Sequence, residues 1–410
     1  MISKEFFPKL FTLASIQRWN DHLRPIKLTE LDKQAHKMMI AYVLAKSLTL
    51  NNNDNNHNSD LKIISNFNWQ RLIEAEIFEF IRNMVLTDIK RPVFSFLIKH
   101  KKDEINRFIF NSVQSDIENI PGGFYDRMVC YFTDDSYAST EKEILELASK
   151  VASLWEYNLI YDLNRHIHNV DEVRGELSSK IEQNKYASNL SEFSNFINLY
   201  GQLRFQIRWA RTPRTPETSV LGHLLITAII TYFFMLETKI KFCDKRIYNN
   251  FFAALFHDLP EALTRDIISP VKSGIEGVEK IVKEYEKEAI KLHLLPSLPV
   301  SWHEEILYFV EDEFDNKIIN ENKKIKLTAL TTGTGKSSYL LDEKYNECKF
   351  NPLDGLLVRV ADELSAYLEA SGSINHGIKS PDLEDGKNKI QEKYAKTNVA
   401  NVIFLDDFFS

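Results

Sequence analysis

Long apolar stretches with helical spacing recur from Ile40 to Ala370, and this periodicity constrains the fold more than any other feature of the chain. The 410 residues include only 13 glycines and 12 prolines, the two residue types that most often interrupt helices. The longest apolar run, Leu224 to Leu236, has 13 residues, fewer than the roughly 20 that a helix needs to cross a bilayer. We therefore predict an all-α protein in which this run forms a core helix and no segment spans a membrane.

Charge and cysteine content narrow the classes of partner. A net charge of −7 and a pI near 5.9 argue against extended nucleic-acid binding by phosphate neutralisation, whereas a small phosphorylated ligand is compatible with them. Cys130, Cys243 and Cys348 are far apart and form no CxxC motif, so we expect neither a disulfide framework nor a thiolate zinc site. Residues 1–8 lack the apolar core and cleavage site of a signal peptide. These features favour a cytoplasmic protein.

The pair His257-Asp258 follows the apolar segment Phe251–Phe256, which predicts a buried helix that ends in two ligand-type side chains. A buried charge needs a partner, and a divalent cation is a suitable one. With His223 and Asp362, the pair forms a set of two imidazoles and two carboxylates, and all four residues are predicted to lie on helices. This set suits one Mn, Co, Zn or Fe(II) ion and leaves coordination positions for water and substrate. A histidine that only caps or fills a core, and an ion pair of Asp362 with Arg359, are the alternatives.

The residues after this pair extend the chemistry. Pro260 predicts that a new helix begins there, with Glu261 in its first turn.

The pattern His…His-Asp…Asp resembles the HD-domain metal-dependent phosphohydrolases, and HDxxEALTxDIxxPVK, starting at His257, resembles the bacterial 5′-deoxynucleotidase branch. The resemblance covers roughly residues 208 to 370 and implies an all-α helical bundle. It implies that the metal ligands are His223, His257, Asp258 and Asp362. It also implies that Glu261 assists the attacking water, Asp266 supports catalysis, Arg208 contacts the phosphate and Trp209 contacts the sugar. These implied roles agree with the chemistry of the side chains: Arg208, Lys272 and the metal can supply positive charge to the non-bridging oxygens of a phosphomonoester, and Glu261 can accept or relay a proton. The flat indole of Trp209 can exclude a 2′-hydroxyl by shape, with a packing role as the alternative. Two departures leave the substrate open: Gly222 stands where this branch has a glutamate, and the segment 284–339 is longer than in small relatives.

The two halves of the chain carry the same landmarks in the same order, which suggests an internal duplication. Arg18-Trp19 precedes His36 and an apolar run, and Arg208-Trp209 precedes His223 and another such run. Chance similarity between two helical domains is the alternative.

The spacing of the landmarks supports the duplication. His223 and His257 are 34 positions apart, and His36 and Phe80 are 44 apart, which becomes 34 once the asparagine-rich tract Asn51–Asp60, predicted to be an exposed loop, is excluded. This alignment places Phe80-Ile81, Met84 and Ser149 where the second half has His257-Asp258, Glu261 and Asp362. We therefore predict two tandem domains: a degenerate HD-like domain without metal ligands at 1–175, and a catalytic HD domain at 185–410.

Taken together, these patterns predict a metal-dependent phosphohydrolase that removes phosphate from a nucleoside 5′-monophosphate, with a deoxynucleotide favoured. Cyclic-nucleotide phosphodiester hydrolysis and nucleoside triphosphate hydrolysis stay open within the same resemblance. A regulatory protein that senses a nucleotide or a metal is the alternative outside enzymes. Small deoxynucleotidases of this kind are homodimers, so the degenerate copy could serve as a silent partner in an intramolecular pseudo-dimer.

Overall fold

A computed structural model describes residues 2–49, 67–188, 190–238, 240–265, 275–327, 330–331, 337–338, 340–395, 398–399, 403–404 and 408–409. The tract Asn51–Asp60, predicted to be a loop, lies outside these residues. The described part of the chain is mainly helical, as predicted. In chain order the α-helices are α1 Phe6–Leu10, α2 Thr12–Ser15, α3 Glu30–Thr49, α4 Trp69–Leu86, α5 Arg91–Ile117, α6 Phe124–Thr133, α7 Ser139–Ile160, α8 Val170–Glu182, α9 Ser194–Gly201, α10 Val220–Glu237, α11 Asp244–Phe256, α12 Glu261–Thr264, α13 Val278–Ala289, α14 Val300–Val310, α15 Leu340–Glu343, α16 Gly355–Asn375 and α17 Pro381–Tyr394.

Short strands, which the sequence did not predict, accompany these helices. In chain order they are β1 Asn316–Asn320, β2 Lys323–Lys326, β3 Leu330–Thr331, β4 Ser337–Ser338, β5 Leu353–Asp354, β6 Asn398–Val399 and β7 Ile403–Phe404. Strand β1 pairs antiparallel with β2 and with β5, with Ile318 opposite Ile325 and Lys317 opposite Leu353. Because β5 leads directly into α16, this small sheet fixes the start of a helix that carries a predicted site residue, Asp362.

The chain divides into two compact units. The C-terminal unit comprises Met1–Phe11, Gln114–Tyr125 and Phe205–Ser410, and the N-terminal unit comprises Thr12–Val113 and Asp126–Arg204. The main division therefore falls after residue 204, whereas the predicted domains, 1–175 and 185–410, place it between 175 and 185, within the polar zone of residues 171–189. That polar zone contains α8, a largely exposed helix of the N-terminal unit. The polar residues of this zone therefore belong to the solvent-exposed face of a helix and not to a linker between domains.

The core of the C-terminal unit is built around α10, which packs against α11 and α16. Its Phe233 ring contacts Phe6 edge-on with 5.5 Å between the ring centroids, and Phe124 with 5.2 Å. These aromatic contacts explain why two segments from early in the chain belong to this unit. Helix α10 is long and apolar enough to cross a membrane by length and composition alone, but 94% of it is buried within the structure. It is the core helix that the apolar run predicted.

The N-terminal unit is built around α3 and α7, with α4, α8 and α9 against them. Almost the whole length of α3 is buried, and Phe80 of α4 is fully buried. A separate cluster of buried residues joins the end of α7 to α8 through Tyr157, Ile160 and Val170, with Leu28 beside them. The unit thus has a hydrophobic core of its own.

Each unit contains the same short element before its central helix. An isolated antiparallel bridge joins Gln17 to Thr29 in the N-terminal unit and Ile207 to Ser219 in the C-terminal unit. The tryptophan two residues after the start of each bridge has a positive φ, 52° at Trp19 and 58° at Trp209. A non-glycine residue rarely adopts this conformation, so its occurrence at matching positions indicates a specific turn. We refer to residues 17–29 and 207–219 as the arginine–tryptophan turns.

Candidate metal centre

His223 lies in the first turns of α10, where Ser219 caps the helix by accepting a hydrogen bond from the Gly222 amide at 2.9 Å. The imidazole is fully buried. Its Nδ1 is 3.1 Å from Ser365 Oγ, and its Nε2 is 2.8 Å from Asp362 Oδ1. Because the contact with Ser365 occupies Nδ1, Nε2 is the atom that faces the acidic side chain, as in histidines that hold metals.

His257 immediately follows α11, and Asp258 lies in the turn between α11 and α12. The prediction that all four candidate ligands lie on helices is therefore wrong for this pair, although the buried helix predicted before it is present. The helix ends here because the chain turns into Pro260, and the end of the helix frees both side chains to point to one side. His257 Nδ1 is 2.8 Å from the Ala254 carbonyl oxygen, which leaves Nε2 directed at the carboxylates.

The four predicted ligands converge. His257 Nε2 is 3.2 Å from Asp258 Oδ2 and 3.8 Å from Asp362 Oδ1. One ligand atom from each of His223, His257 and Asp258 lies within 4.8 Å of the others. Within the described residues, His257 Nε2 is buried and accepts or donates no hydrogen bond. A buried nitrogen of this kind next to two carboxylates fits a divalent cation with nitrogen and oxygen ligands.

The charges of the cluster are strongly coupled to their surroundings. Burial lowers the pKa of His223, and the nearby Arg208 guanidinium lowers it further, so this imidazole is neutral and ready to act as a ligand. Burial also acts against the charged form of His257, but Asp258 and Asp362 outweigh it and raise the pKa of His257 to about 10. Burial opposes ionisation of Asp258 as well, yet His257 holds its pKa well below the usual range. Two carboxylates therefore stay ionised around a site that favours positive charge.

Glu261 is the first residue of α12, and Pro260 immediately precedes that helix, which confirms the predicted helix start. The Glu261 side chain is buried and lines the same cleft as His257 and Asp258. Gln206 donates a hydrogen bond of 2.8 Å to the Glu261 backbone carbonyl and so fixes this turn. Asp266 and Lys272, predicted to support catalysis and to bind phosphate, lie outside the described residues.

The arginine–tryptophan turn of the C-terminal unit lies beside this cluster. Arg208 Nη1 is 3.9 Å from Asp258 Oδ2, so the structure brings this predicted phosphate-binding residue to the candidate ligands. Trp209 is half-buried, and its Nε1 donates a hydrogen bond of 2.9 Å to Glu369 Oε2. Sequence reasoning missed Glu369. The available signal was its position seven residues after Asp362, which places both on one face of a helix.

Parts of the segment 284–339, together with residues just before it, also line this cleft. Lys283 and Lys287 of α13 and the acidic run Glu311–Glu313 line it along with His257 and Asp258. Lys283 Nζ is 3.6 Å from Glu313 Oε1. The sequence indicated only that this segment was longer, and the structure shows that it shapes the site.

The alternative role for Asp362, an ion pair with Arg359, is not observed among the described residues. Its guanidinium carbon lies 5.3 Å from the ring centroid of Phe314, a stacked arrangement, while Asp362 faces His223. His36 is a buried core residue: its Nε2 is 3.0 Å from the Ile197 carbonyl oxygen. Burial, reinforced by Arg204, lowers the pKa of His36 to about 3.

The two bridges pair the residues of the two halves differently from the pairing that was made from the sequence. Thr29 and Ser219 are equivalent bridge residues, and the residues four positions later are Lys33 and His223. His36 therefore does not correspond to His223. The sequence-based pairing was made because each of these histidines opens an apolar run after an Arg-Trp pair, and the spacing agreed with it because ten residues were excluded for the asparagine-rich tract.

A second landmark corrects the register downstream. Thr87 after α4 and Arg265 after α12 have positive φ values of 62° and 64°. Counting back from them places Glu79, Phe80 and Asn83 where the C-terminal unit has His257, Asp258 and Glu261. The predicted alignment was thus displaced by one residue in this region, while Ser149 keeps its place opposite Asp362 because Glu156 and Glu369 each follow seven residues later.

Comparison with known proteins agrees with this geometry. Residues 200–391 match a family model described as an HD domain. This match covers the arginine–tryptophan turn and all four converging side chains, and it supports a metal-dependent phosphohydrolase of the HD-domain class. No curated protein matches the chain. No solved structure matches it either.

Proposed function

We propose that the C-terminal unit is a divalent-metal-dependent phosphohydrolase that removes the phosphate from a nucleoside 5′-monophosphate, with a deoxynucleoside preferred. The observation that carries the proposal is the convergence of His223, His257, Asp258 and Asp362 on one point, with Arg208 3.9 Å from Asp258. Ligands for a cation and a fixed positive charge for a phosphate thus lie side by side.

The four converging residues would hold one divalent ion, and Mn, Co, Zn and Fe(II) all suit their donor atoms. When bound, such an ion supplies Lewis-acid charge to a phosphoryl oxygen and lowers the pKa of coordinated water toward neutrality. The protein positions the ligands through outer contacts, with Ser365 at His223 Nδ1 and the Ala254 carbonyl at His257 Nδ1. Such contacts fix the orientation of each ring.

The side chains around the ligands have separable tasks. Arg208 neutralises the phosphate, because a guanidinium matches the geometry of two non-bridging oxygens. Glu261, buried next to Asp258, accepts a proton from the attacking water and can return it to the leaving 5′-oxygen. Trp209 presents a flat surface on the sugar side, where a 2′-hydroxyl would be excluded by shape. Asp266 and Lys272 complete this assignment as residues that support catalysis and bind phosphate.

We further propose that the N-terminal unit is a degenerate copy of the same domain. The support is the pair of arginine–tryptophan turns, with matching bridges and matching positive-φ tryptophans. At the corrected ligand positions this unit has Lys33, Glu79, Phe80 and Ser149. A lysine and a phenylalanine cannot replace imidazole and carboxylate ligands, so we assign the activity to the C-terminal unit alone.

A phosphate-release screen tests the proposed function. The purified full chain is loaded in turn with Mn, Co and Zn and assayed against nucleoside mono-, di- and triphosphates, their deoxy forms and cyclic nucleotides. We expect release from 5′-monophosphates, faster from deoxynucleotides. Release from triphosphates or cyclic nucleotides alone would move the protein to another HD chemistry, and metal binding with no turnover on any substrate would favour a sensor.

A further inference from the structure

Helix α16 presents three polar side chains on one face, at positions separated by three and four residues. Asp362 Oδ1 contacts His223 Nε2 at 2.8 Å, and Ser365 Oγ contacts His223 Nδ1 at 3.1 Å. The third, Glu369, lies further along the same face and contacts the arginine–tryptophan turn. One helix therefore connects the candidate metal centre to the residues assigned to the substrate.

Glu369 is almost completely buried, at 3% exposure, and its carboxylate is surrounded by donors. Oε2 accepts hydrogen bonds from Arg208 Nε at 3.2 Å and from Trp209 Nε1 at 2.9 Å. Oε1 accepts a hydrogen bond from the Thr218 hydroxyl and lies 3.9 Å from Arg214 Nη2. A buried carboxylate with this many donors is fixed in place, and it fixes its donors in turn.

The contact with Arg208 determines which edge of the guanidinium is available. Nε is held by Glu369, so the terminal nitrogens extend toward the metal centre, with Nη1 3.9 Å from Asp258 Oδ2. Without Glu369 the nearest carboxylate for Arg208 would be Asp258, a candidate metal ligand. A guanidinium paired directly with that ligand would be drawn away from a phosphate.

The indole of Trp209 is fixed at two places. Its Nε1 is bound to Glu369, and its six-membered ring packs against Gly386 of α17. A Cβ atom at position 386 would lie 2.7 Å from Trp209 Cη2, so only glycine allows this approach. The ring can therefore serve as a rigid surface and not as a mobile flap.

We propose that Glu369 is a positioning residue that holds Arg208 and Trp209 as one rigid unit for the phosphate and the sugar of the substrate. This inference rests on the proposed function, in which those two residues contact the substrate. Within the described part of the chain, its hydrogen-bond donors are Arg208, Trp209 and Thr218, and none of them is a candidate metal ligand.

The chain offers a matched control in the N-terminal unit. Glu156 Oε2 accepts hydrogen bonds from Arg18 Nε at 2.8 Å and from Trp19 Nε1 at 3.0 Å, the same arrangement as at Glu369. Both carboxylates are buried. Glu156 Oε1 also accepts a hydrogen bond of 2.8 Å from Arg204 Nη1, so Glu156→Gln should perturb folding at least as much as Glu369→Gln, without a candidate active site beside it.

The test compares the two glutamine variants with the wild-type full chain. We expect Glu369→Gln to raise KM about tenfold, since a charged hydrogen bond in a buried site is lost. We expect kcat to change less, the metal content to stay at the wild-type level and the preference for deoxyribose to weaken. Glu156→Gln should leave KM and sugar preference unchanged. An unchanged KM in Glu369→Gln, or an equal rise in both variants, would overturn the proposal.

Two further measurements keep the test decisive. If Glu369→Gln does not fold, Glu369→Asp is used instead, because it retains the charge on a shorter side chain. A raised KM at wild-type metal content in this variant supports the proposal. A wild-type KM overturns it. Wild-type protein that releases phosphate from no nucleotide refutes the proposed function instead. Calorimetric binding of inorganic phosphate to the metal-loaded chain then tests Glu369 alone: weaker binding in Glu369→Gln than in Glu156→Gln supports the role, and equal or absent binding contradicts it.

Discussion

The two arginine–tryptophan turns share a backbone bridge and a tryptophan with a positive φ, and each turn binds a buried glutamate. The other side chains around the two turns differ. Arg18 and Trp19 bind Glu156 as Arg208 and Trp209 bind Glu369. These shared residues are therefore sufficient to build the turn. The turn also occurs in the N-terminal unit, whose described residues include no candidate metal cluster, so it has structural value by itself. The side chains that face the turn, and not the turn itself, therefore decide whether a unit has a candidate metal centre.

The N-terminal unit contains its own charges where the C-terminal unit has candidate ligands. Glu30, opposite Val220 in the bridge alignment, is 2.7 Å from Arg18 Nη1 and accepts a hydrogen bond from Asn83 Nδ2 at 2.9 Å. Lys33, opposite His223, is buried with its Nζ 4.0 Å from Glu30 Oε1. Residues of the N-terminal unit therefore neutralise Arg18. In contrast, the terminal nitrogens of Arg208 are directed at the candidate metal centre.

Asp362 and its counterpart Ser149 are each replaced by alanine in separate variants. These variants should show the largest difference between the units in metal content and phosphate release. Asp362→Ala removes a candidate ligand, so we expect metal content to fall and phosphate release to drop at least about 1000-fold, since several kcal/mol of charge stabilisation are lost. Ser149→Ala should leave both quantities at the wild-type level. Metal analysis and turnover on the same preparations check this, and full activity in Asp362→Ala would remove the residue from the site.

Much of this contrast could be predicted from the sequence. The ligand types and the turn motif identified His223, His257, Asp258 and Asp362, and the apolar period identified the helices around them. Glu369 was missed although its position seven residues after Asp362 places it on the same helix face, because a lone glutamate on an amphipathic helix has the composition of a solvated residue. The register at the first ligand could be read from the sequence, because Lys33 follows Arg18 by 15 residues as His223 follows Arg208, but the pairing was based on the histidine at position 36. The register further along the two units depends on positive-φ residues that no residue type reveals.

Glu261 and Asn83 provide the second contrast, because they occupy matching positions with different chemistry. Glu261→Gln keeps the shape of the side chain but removes its capacity to accept a proton. We expect kcat to fall by about 100-fold or more with metal content unchanged, in the range usual for loss of a general base. Asn83→Ala, which removes a hydrogen bond to Glu30 in the N-terminal unit, should leave kcat unaffected. Retained turnover in Glu261→Gln would exclude it as the proton acceptor.

Removal of the metal by a chelator should lower the stability of the C-terminal unit and leave that of the N-terminal unit unchanged. A metal that binds only the folded C-terminal unit stabilises it by about 2.7 kcal/mol at a hundredfold excess over Kd. We therefore expect a chelator to accelerate hydrogen exchange in α10 and α16 and to leave α3 and α7 unchanged. The Asp362→Ala variant, which should not hold the metal, is the control and should show no response to the chelator. Equal acceleration in α3 and α7 would mean that the N-terminal unit also depends on a metal.

The smallest expected effect concerns Lys33, the ammonium at the position of His223. Burial lowers the pKa of Lys33 from 10.5 to about 8, although Glu30 opposes the change. Between these two values the unfolded chain binds more protons than the folded one, so the free energy of unfolding rises with pH in that window. Below pH 8 the full penalty of burying the charge is present, and above 10.5 it is absent.

Lys33→Met removes this titration while filling the same space. We expect the variant to be at least as stable as the wild type at pH 7.5, because Arg18 still neutralises Glu30 at 2.7 Å. Its advantage should shrink as the pH rises to 10, by on the order of 1 kcal/mol and at most about 3. Urea unfolding of both proteins at the two pH values measures the difference, in which the titration of other groups cancels. A variant that loses stability at pH 7.5 would show that the ammonium is required at the position of the candidate ligand, and the N-terminal unit would then depend on a cation of its own.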